Sequence, residues 1–196
     1  MNPRTPLAIA LLSGIVLAGC RPAETPVAPA SEPAASSPAE TVERGRYLSV
    51  IGGCHDCHTP KTMGPEGPQP DMTRALSGHP ESVGAPPAPV LPGPWIGATT
   101  ADLTAWSGPW GISFAANLTP DEETGYGVIE EAMFVESMRT GRHFGGGRPI
   151  LPPMPWPNIG TMTDDDLHAL YAYLRSIPPI RNKVPDPVPP PAAPPS

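Results

Sequence analysis

The stretch Cys54-His55-Asp56-Cys57-His58 places two thiols and an imidazole within five residues. Two cysteines with this spacing can reach the two vinyl groups on one edge of a porphyrin, and the histidine after them can bind the iron. The motif therefore predicts one covalently attached haem c, with His58 as the proximal ligand. A redox dithiol or half of a zinc site is the alternative for such a pair. Three cysteines in all leave no second pair for zinc.

A second axial ligand would distinguish an electron carrier from a haem enzyme or gas sensor. Met154 is the best of the seven methionines, because it lies in Pro152-Pro153-Met154-Pro155-Trp156-Pro157. Prolines fix φ and stiffen such a loop, so that it can hold a weakly binding thioether on iron. Thioether ligation also raises the redox potential relative to a second imidazole.

The remaining candidates for this position are weaker. Met63 follows His58 by only five residues and is too close to reach the opposite face of a porphyrin. The other methionines are either poorer loop candidates (Met72, Met162) or fit the core of a helix (Met133, Met138). The spare imidazoles of His79 and His143 are expected on the surface, with replacement of Met154 on the iron as the alternative.

Residues 1–19 predict a signal peptide for export. Arg4 supplies positive charge, and a short apolar run from Leu7 to Leu17 precedes small residues. Leu17-Ala18-Gly19-Cys20 resembles the lipobox of bacterial lipoproteins. Cys20 is therefore predicted to carry the lipid that holds the protein on the periplasmic side of a bacterial membrane. An ordinary secreted protein and an uncleaved anchor are the alternatives.

Composition divides the rest of the chain into three parts. Residues 20–40 are rich in Pro and Ala and predict a disordered tether, and residues 184–196 predict a Pro-rich disordered tail. Residues 41–183 are long enough for one domain. Apolar residues at helical spacing predict three helices there: Thr41 to Gly53, Val128 to Thr140, and Thr163 to Ile177. No useful alternating strand pattern is present, so the domain is predicted to be mostly α-helical.

The order of short motifs resembles a class I cytochrome c. More narrowly, the chain resembles one haem module of the cytochrome c subunits of bacterial alcohol, aldehyde and gluconate dehydrogenases. The motifs that carry this resemblance are Glu43-Arg44-Gly45-Arg46-Tyr47-Leu48, Asn117-Leu118-Thr119-Pro120-Asp121, Thr124-Gly125, Arg139-Thr140-Gly141-Arg142, Pro153-Met154-Pro155-Trp156 and Leu170-Tyr171-Ala172-Tyr173-Leu174-Arg175.

The resemblance implies an all-α fold in which a few helices and long irregular loops surround one haem. It also implies that His58 and Met154 are the axial pair, and that the first and last helices meet where Gly45 approaches Tyr173. The chain departs from these subunits in having a single attachment motif, where they usually have several. It also carries a long Pro/Gly-rich insertion at 61–113.

Aromatic and basic residues near these motifs suggest how the haem is enclosed. The aromatics of the insertion and its end are expected to cover the haem edge or pack the loop rather than to bind substrate; they are Trp95, Trp106, Trp110 and Phe114. Arg142 and Arg148 could pair with the haem propionates, because guanidinium binds carboxylate in bidentate geometry. Simple surface exposure is the alternative for both arginines.

The charge of the chain narrows the kind of partner. Removal of residues 1–19 takes away one basic residue, Arg4, and leaves 11 basic and 19 acidic residues, a formal charge of −8. Such a balance argues against nucleic acid and favours a redox partner with a basic docking face. Part of the acid is local, as in Asp121-Glu122-Glu123 and Asp164-Asp165-Asp166, and could simply form a solvated face.

These observations predict a membrane-tethered, mono-haem cytochrome c of the periplasm. It would pass single electrons between a dehydrogenase or respiratory donor and an acceptor such as another cytochrome or a terminal oxidase, without substrate chemistry of its own. The alternatives are a peroxidase-like haem enzyme or gas-binding sensor with a displaceable sixth ligand, and a structural subunit of a dehydrogenase complex.

Overall fold

Helices α1 (Pro38–Ile51) and α5 (Asp164–Ser176) pack against each other in the computed structural model, which describes residues 36–191. Gly45 lies where they meet. A Cβ at this position would overlap the carbonyl group of Ala169 and would lie 2.7 Å from the Cβ of Tyr173. The expected close approach of the first and last helices at Gly45 is therefore confirmed.

Both helices begin at side-chain caps. The Ser37 hydroxyl accepts a hydrogen bond from the Glu40 backbone N–H (3.3 Å), and the Glu40 carboxylate accepts one from the Ser37 backbone N–H (2.8 Å). This capping box starts α1 at Pro38 rather than at the predicted Thr41. Residues 38–40 of the predicted tether thus belong to the helix. The signal peptide, Cys20 and residues 21–35 lie outside the described residues.

Three further helices complete the helical part of the described chain. Helix α3 (Glu131–Thr140) ends at Gly141, which adopts the left-handed conformation (φ 68°) as expected for a helix stop. Helices α2 (Cys54–His58) and α4 (Trp156–Ile159) span five and four residues. They were not predicted, since segments this short carry no helical periodicity.

Two small antiparallel sheets correct the expectation of an all-α domain. Strands β1 (Lys61–Gly64) and β2 (Gly67–Pro70) form a hairpin. Strands β3 (Ala98–Thr99), β4 (Ala105–Gly108) and β5 (Gly111–Phe114) form a second sheet in that order. Each strand has only two to four residues, too few for an alternating pattern, and Pro68 and Pro70 are untypical of strands. The described domain therefore combines helices with small sheets in and just after the predicted insertion, and irregular structure makes up the rest.

The core combines residues of the helices with one residue of the insertion. Leu76 and Leu167 are fully buried and pack with apolar side chains of α3, α4 and α5. The insertion is therefore part of the fold rather than a free loop. Within residues 36–191, no helix combines the length and apolar character that crossing a membrane requires.

The end of the described chain also differs from the expected domain limit. Val188 and Ile112 exchange two backbone hydrogen bonds, with N···O distances of 2.8 and 3.0 Å. The first part of the segment predicted as a disordered tail, residues 184–191, is thus held against β5. Residues 192–196 lie outside the described part of the chain.

Candidate haem site

Helix α2 brings the three motif side chains to one cleft. Gly53 directly precedes it, and the left-handed φ of 67° at this glycine turns the chain sharply after α1. Cys54, Cys57 and His58 all line the cleft, and neither cysteine forms a disulfide within the described residues. Burial raises the pKa of the Cys54 thiol to about 11 and also raises the pKa of Cys57. Both sulfurs are therefore neutral thiols at pH 7.

His58 is oriented by a backbone carbonyl. Its side chain is buried, and its Nδ1 lies 2.8 Å from the carbonyl oxygen of Ala116. Because that oxygen can only accept, Nδ1 carries the proton and Nε2 keeps its lone pair. Burial lowers the pKa of His58, which favours the neutral ring. A metal-binding histidine is typically fixed in this way, by a hydrogen bond from the nitrogen that does not bind the metal.

Met154 lines the same cleft, so the structure brings together all four residues predicted to bind the haem. The loop before it is fastened to the end of α3, since the Ile150 N–H donates to the Gly141 carbonyl at 2.7 Å. The other loop methionines lie elsewhere. Met63 and Met72 are 69% and 60% exposed, and Met162 packs on the core without lining the cleft.

The cleft walls are mostly apolar. They are formed by Leu118, Phe134, Met138, Ile159, Leu170 and Leu174. Of the aromatics in the insertion and its end, Phe114 lines the cleft. Trp106 and Trp110 instead pack in the sheet near Pro153, and Trp95 is 71% exposed. The expectation that these aromatics cover the haem edge thus fits Phe114, and the packing alternative fits Trp106 and Trp110.

His79 does not lie on the surface, so that prediction is wrong. The side chain is fully buried in the insertion, with Nδ1 2.7 Å from the Thr104 hydroxyl and Nε2 2.7 Å from the Gly84 carbonyl oxygen. Both ring nitrogens are engaged outside the cleft. His79 therefore holds the insertion together and is not available as an iron ligand.

Tyr126, His143 and Arg148 also line the cleft. His143 is thus partly buried at the cleft rather than on the surface as predicted. Burial and the nearby Arg148 lower the pKa of His143 to about 4, so the ring is neutral at pH 7. Arg148 is the better placed of the two arginines proposed for the propionates. Both arginines are exposed, but Arg148 lines the cleft, whereas Arg142 does not and donates to the Gly147 carbonyl at 3.0 Å.

The residues present fit a haem on chemical grounds. Helix α2 supplies two neutral thiols and an imidazole with a free Nε2, and a thioether and the Arg148 guanidinium line the same mostly apolar cleft. Apolar enclosure with a small number of polar groups is typical of a cofactor site. Fold and site together are those expected of a c-type cytochrome.

Comparison with known proteins supports this class. No protein-family profile matches the chain. Over 171 residues it is 31% identical to a nicotinate dehydrogenase subunit of Pseudomonas putida, and the match covers 87% of this chain and 12% of the relative. It is 27% identical over 148 residues to the cytochrome c subunit of alcohol dehydrogenase (quinone) of Gluconobacter oxydans, covering 74% and 24%. It is 30% identical over 132 residues to the gluconate 2-dehydrogenase cytochrome c subunit of Pantoea cypripedii, covering 67% and 22%.

The chain is therefore a homologue of the cytochrome c subunits of bacterial dehydrogenases, as the sequence motifs predicted. It spans about an eighth to a quarter of the length of the curated relatives it matches.

Two residues of the site were not found from the sequence. Ala116 orients His58 through its carbonyl group, and no side-chain pattern reports a backbone acceptor. Tyr126 lines the cleft and directly follows the Thr124-Gly125 motif. Its position after that motif was the one signal that could have drawn attention to it.

Proposed function

We propose that this protein is a periplasmic, membrane-tethered cytochrome c with one haem and the class I fold. It carries single electrons between a dehydrogenase or respiratory donor and an acceptor. The observation that supports this most directly is the buried His58, held by Ala116 in an apolar cleft that Cys54, Cys57 and Met154 also line. A bound haem supplies reversible one-electron chemistry at its iron.

Each side chain has one task in this proposal. The Cys54 and Cys57 thiols would attach a haem through its two vinyl groups, each S–H bond being replaced by a thioether and a C–H bond. His58 would hold the iron through Nε2, and Met154 would hold it through its sulfur. With both residues bound, the protein would bind no substrate at the metal, and the apolar walls would keep water from it.

The proposed partner is a dehydrogenase or another redox protein with a basic face. The relatives are named as subunits of nicotinate, alcohol and gluconate dehydrogenases. Exposed acids on the described domain include Glu122, Glu123 and Glu130. Opposite charge speeds the encounter of two redox proteins without requiring a tight complex.

Membrane attachment rests on the sequence of residues 17–20. Replacement of Cys20 by Ser is expected to move the protein from the membrane to the soluble periplasmic fraction, since no acyl group can then be added. Haem attachment should be unaffected, because Cys54 and Cys57 are unchanged. Mass spectrometry of the mature protein should find an acylated Cys20 as its first residue. An unmodified first residue at another position would rule out the lipid anchor.

Electron transfer can be tested with purified protein and membranes of the source cell. Stopped-flow reduction should slow as ionic strength rises from about 10 to 150 mM, where the screening length falls from about 30 to 8 Å. A rate independent of salt would contradict charge-guided docking. Turnover of peroxide at rates typical of enzymes would contradict the carrier function itself.

A further inference from the structure

The segment 113–116, where β5 ends, contacts the supports of both proposed axial ligands. At one end, the Ser113 hydroxyl lies 2.5 Å from the carbonyl oxygen of Pro152, two residues before Met154. At the other end, the Ala116 carbonyl accepts the hydrogen bond from His58 described above. Only two residues, Phe114 and Ala115, therefore separate the contact on the methionine loop from the contact on the proximal histidine.

The direction of the Ser113 hydrogen bond is set by its neighbours. Ser113 is buried, with 6% of its surface exposed, and its oxygen accepts from the Trp110 indole N–H at 3.2 Å. A hydroxyl has one proton to donate. The Pro152 oxygen at 2.5 Å is much closer than the alternative acceptor, the Trp106 carbonyl at 3.4 Å. The proton therefore points to the methionine loop.

The methionine loop has few means of holding its own shape. Pro152 and Pro153 lack an N–H, so the backbone there can accept hydrogen bonds but cannot donate them. The Met154 N–H reaches only the Leu151 carbonyl within the same loop, at 3.3 Å. Ile150 fastens the start of the loop to Gly141. After Met154, the Pro155 carbonyl accepts hydrogen bonds from Asn158 and Ile159 of α4. Before Met154, the Pro152 carbonyl accepts from the Ser113 hydroxyl, a donor from outside the loop.

We propose that Ser113 is a positioning residue for the Met154 thioether. This inference rests on the proposed ligation by Met154. The inference also gives the insertion a structural role. The insertion ends in β5, which holds the methionine loop against the cleft, and Ala116 just after β5 orients His58. Without the Ser113 hydroxyl, nothing outside the loop binds the Pro152 carbonyl. The loop is then held by the Ile150–Gly141 bond before it and by the bonds from α4 to the Pro155 carbonyl after it, and the sulfur leaves its position more easily.

Imidazole competition on the ferric holoprotein measures this directly, because added imidazole binds only where Met154 has been displaced. For Ser113→Ala we expect the apparent dissociation constant for imidazole to fall about three- to tenfold, the equivalent of one lost hydrogen bond. Ser113→Thr keeps the hydroxyl and should restore the wild-type value. Ser107→Ala is the matched control, since its hydroxyl lies on the neighbouring strand and makes no hydrogen bond within residues 36–191. It should change nothing.

Trp110→Phe provides a second variant if Ser113→Ala does not fold. It removes the N–H that orients the Ser113 hydroxyl, and a fall of about twofold in the same constant is expected. If the folded variants bind imidazole with unchanged affinity, Ser113 does not position Met154. The proposed function still stands in that case, provided that the wild type shows the near-infrared band of thioether ligation. Absence of that band from the wild type overturns both.

Discussion

The helical framework and the segment 60–116 are held together in different ways. In the framework, α1 and α5 approach so closely that Gly45 has no room for a Cβ. The segment contributes the buried Leu76 to the core and is also fastened by hydrogen bonds: the Gly78 N–H donates to the His58 carbonyl (2.8 Å), and the Leu76 N–H donates to the Thr59 hydroxyl (3.0 Å). The two regions therefore position different parts of the haem site. Close packing fixes where the haem motif lies, and the polar segment fixes how its side chains point.

The largest expected effect comes from the motif that joins the two regions. Replacement of both Cys54 and Cys57 by Ala should abolish covalent haem, because no thiol remains within reach of the vinyl groups. Haem staining after denaturing electrophoresis, together with the intact mass, measures this. Cys20→Ser is the matched control and should keep its haem. Retention of covalent haem by the double variant would contradict the attachment assignment.

In the framework, Gly45→Ala should be strongly destabilising. Alanine favours a helix over glycine by about 1 kcal/mol, but its Cβ would force α1 and α5 apart, and such overpacking costs about 1 to 3 kcal/mol or more. We expect a net loss of about 2 kcal/mol in the free energy of unfolding, measured with urea.

Gly146→Ala is the control for this prediction. No atom lies within 4 Å of the Cβ position at Gly146, and its φ of −138° is open to any residue. Its stability should stay close to that of the wild type. Equal stabilities of the Gly45 and Gly146 variants would show that close packing does not limit the framework.

The polar fastening of the segment is tested by Asn182→Ala. The Asn182 amide donates to the carbonyls of Ser77 (2.7 Å) and His79 (2.8 Å), and its oxygen accepts from the Glu81 N–H (2.8 Å). Loss of these contacts should cost about 1 to 3 kcal/mol. Asn158→Ala is the control, since that exposed side chain makes no hydrogen bond within the described part of the chain.

Two probes show whether the segment then unfolds separately. Three of the four tryptophans, Trp95, Trp106 and Trp110, lie in the segment, and Trp156 lies in α4, so fluorescence mainly follows the segment. Far-ultraviolet circular dichroism reports the helices. In the Asn182 variant we expect fluorescence to change at a lower urea concentration than circular dichroism, since the segment loses its fastening first. Coincident transitions would mean that framework and segment unfold as one unit.

The smallest expected effect is at the cap of α5. The Thr163 hydroxyl accepts from the Asp166 backbone N–H at 3.1 Å, so Thr163→Ala should lower stability by about 1 kcal/mol. Thr163→Ser keeps the acceptor and should recover most of this. Thermal unfolding of the three proteins would show the order. A Ser variant as unstable as the Ala variant would contradict the capping role.

What could be predicted from the sequence follows the same division. The three longer helices were predicted with ends close to those observed, because periodic apolar residues, Gly141 and Thr163 mark them locally. The motif cysteines, His58 and Met154 were placed in one site by their chemistry, and the structure brings them to one cleft.

The segment was not predicted, for physical reasons. Its strands are too short to alternate, and its contacts join residues far apart in the chain, such as Asn182 with Ser77. His79 illustrates the consequence. A histidine in a Pro/Gly-rich stretch is predicted to be exposed, yet His79 is buried and hydrogen-bonded to Thr104 and Gly84. A backbone acceptor such as the Ala116 carbonyl cannot be predicted from the residue type, because every residue has a carbonyl group.

The central claim is that His58 and Met154 both bind the iron, which makes the protein an electron carrier. Spectra of the wild type and Met154→Ala test it most directly, in the ferric state in the near infrared and in the ferrous state with and without carbon monoxide. The wild type should show the weak near-infrared band of thioether ligation and a ferrous spectrum that carbon monoxide does not change. Met154→Ala should lose the band, bind carbon monoxide and have a lower potential. A wild type that binds carbon monoxide readily, or a band that survives the substitution, would contradict the claim.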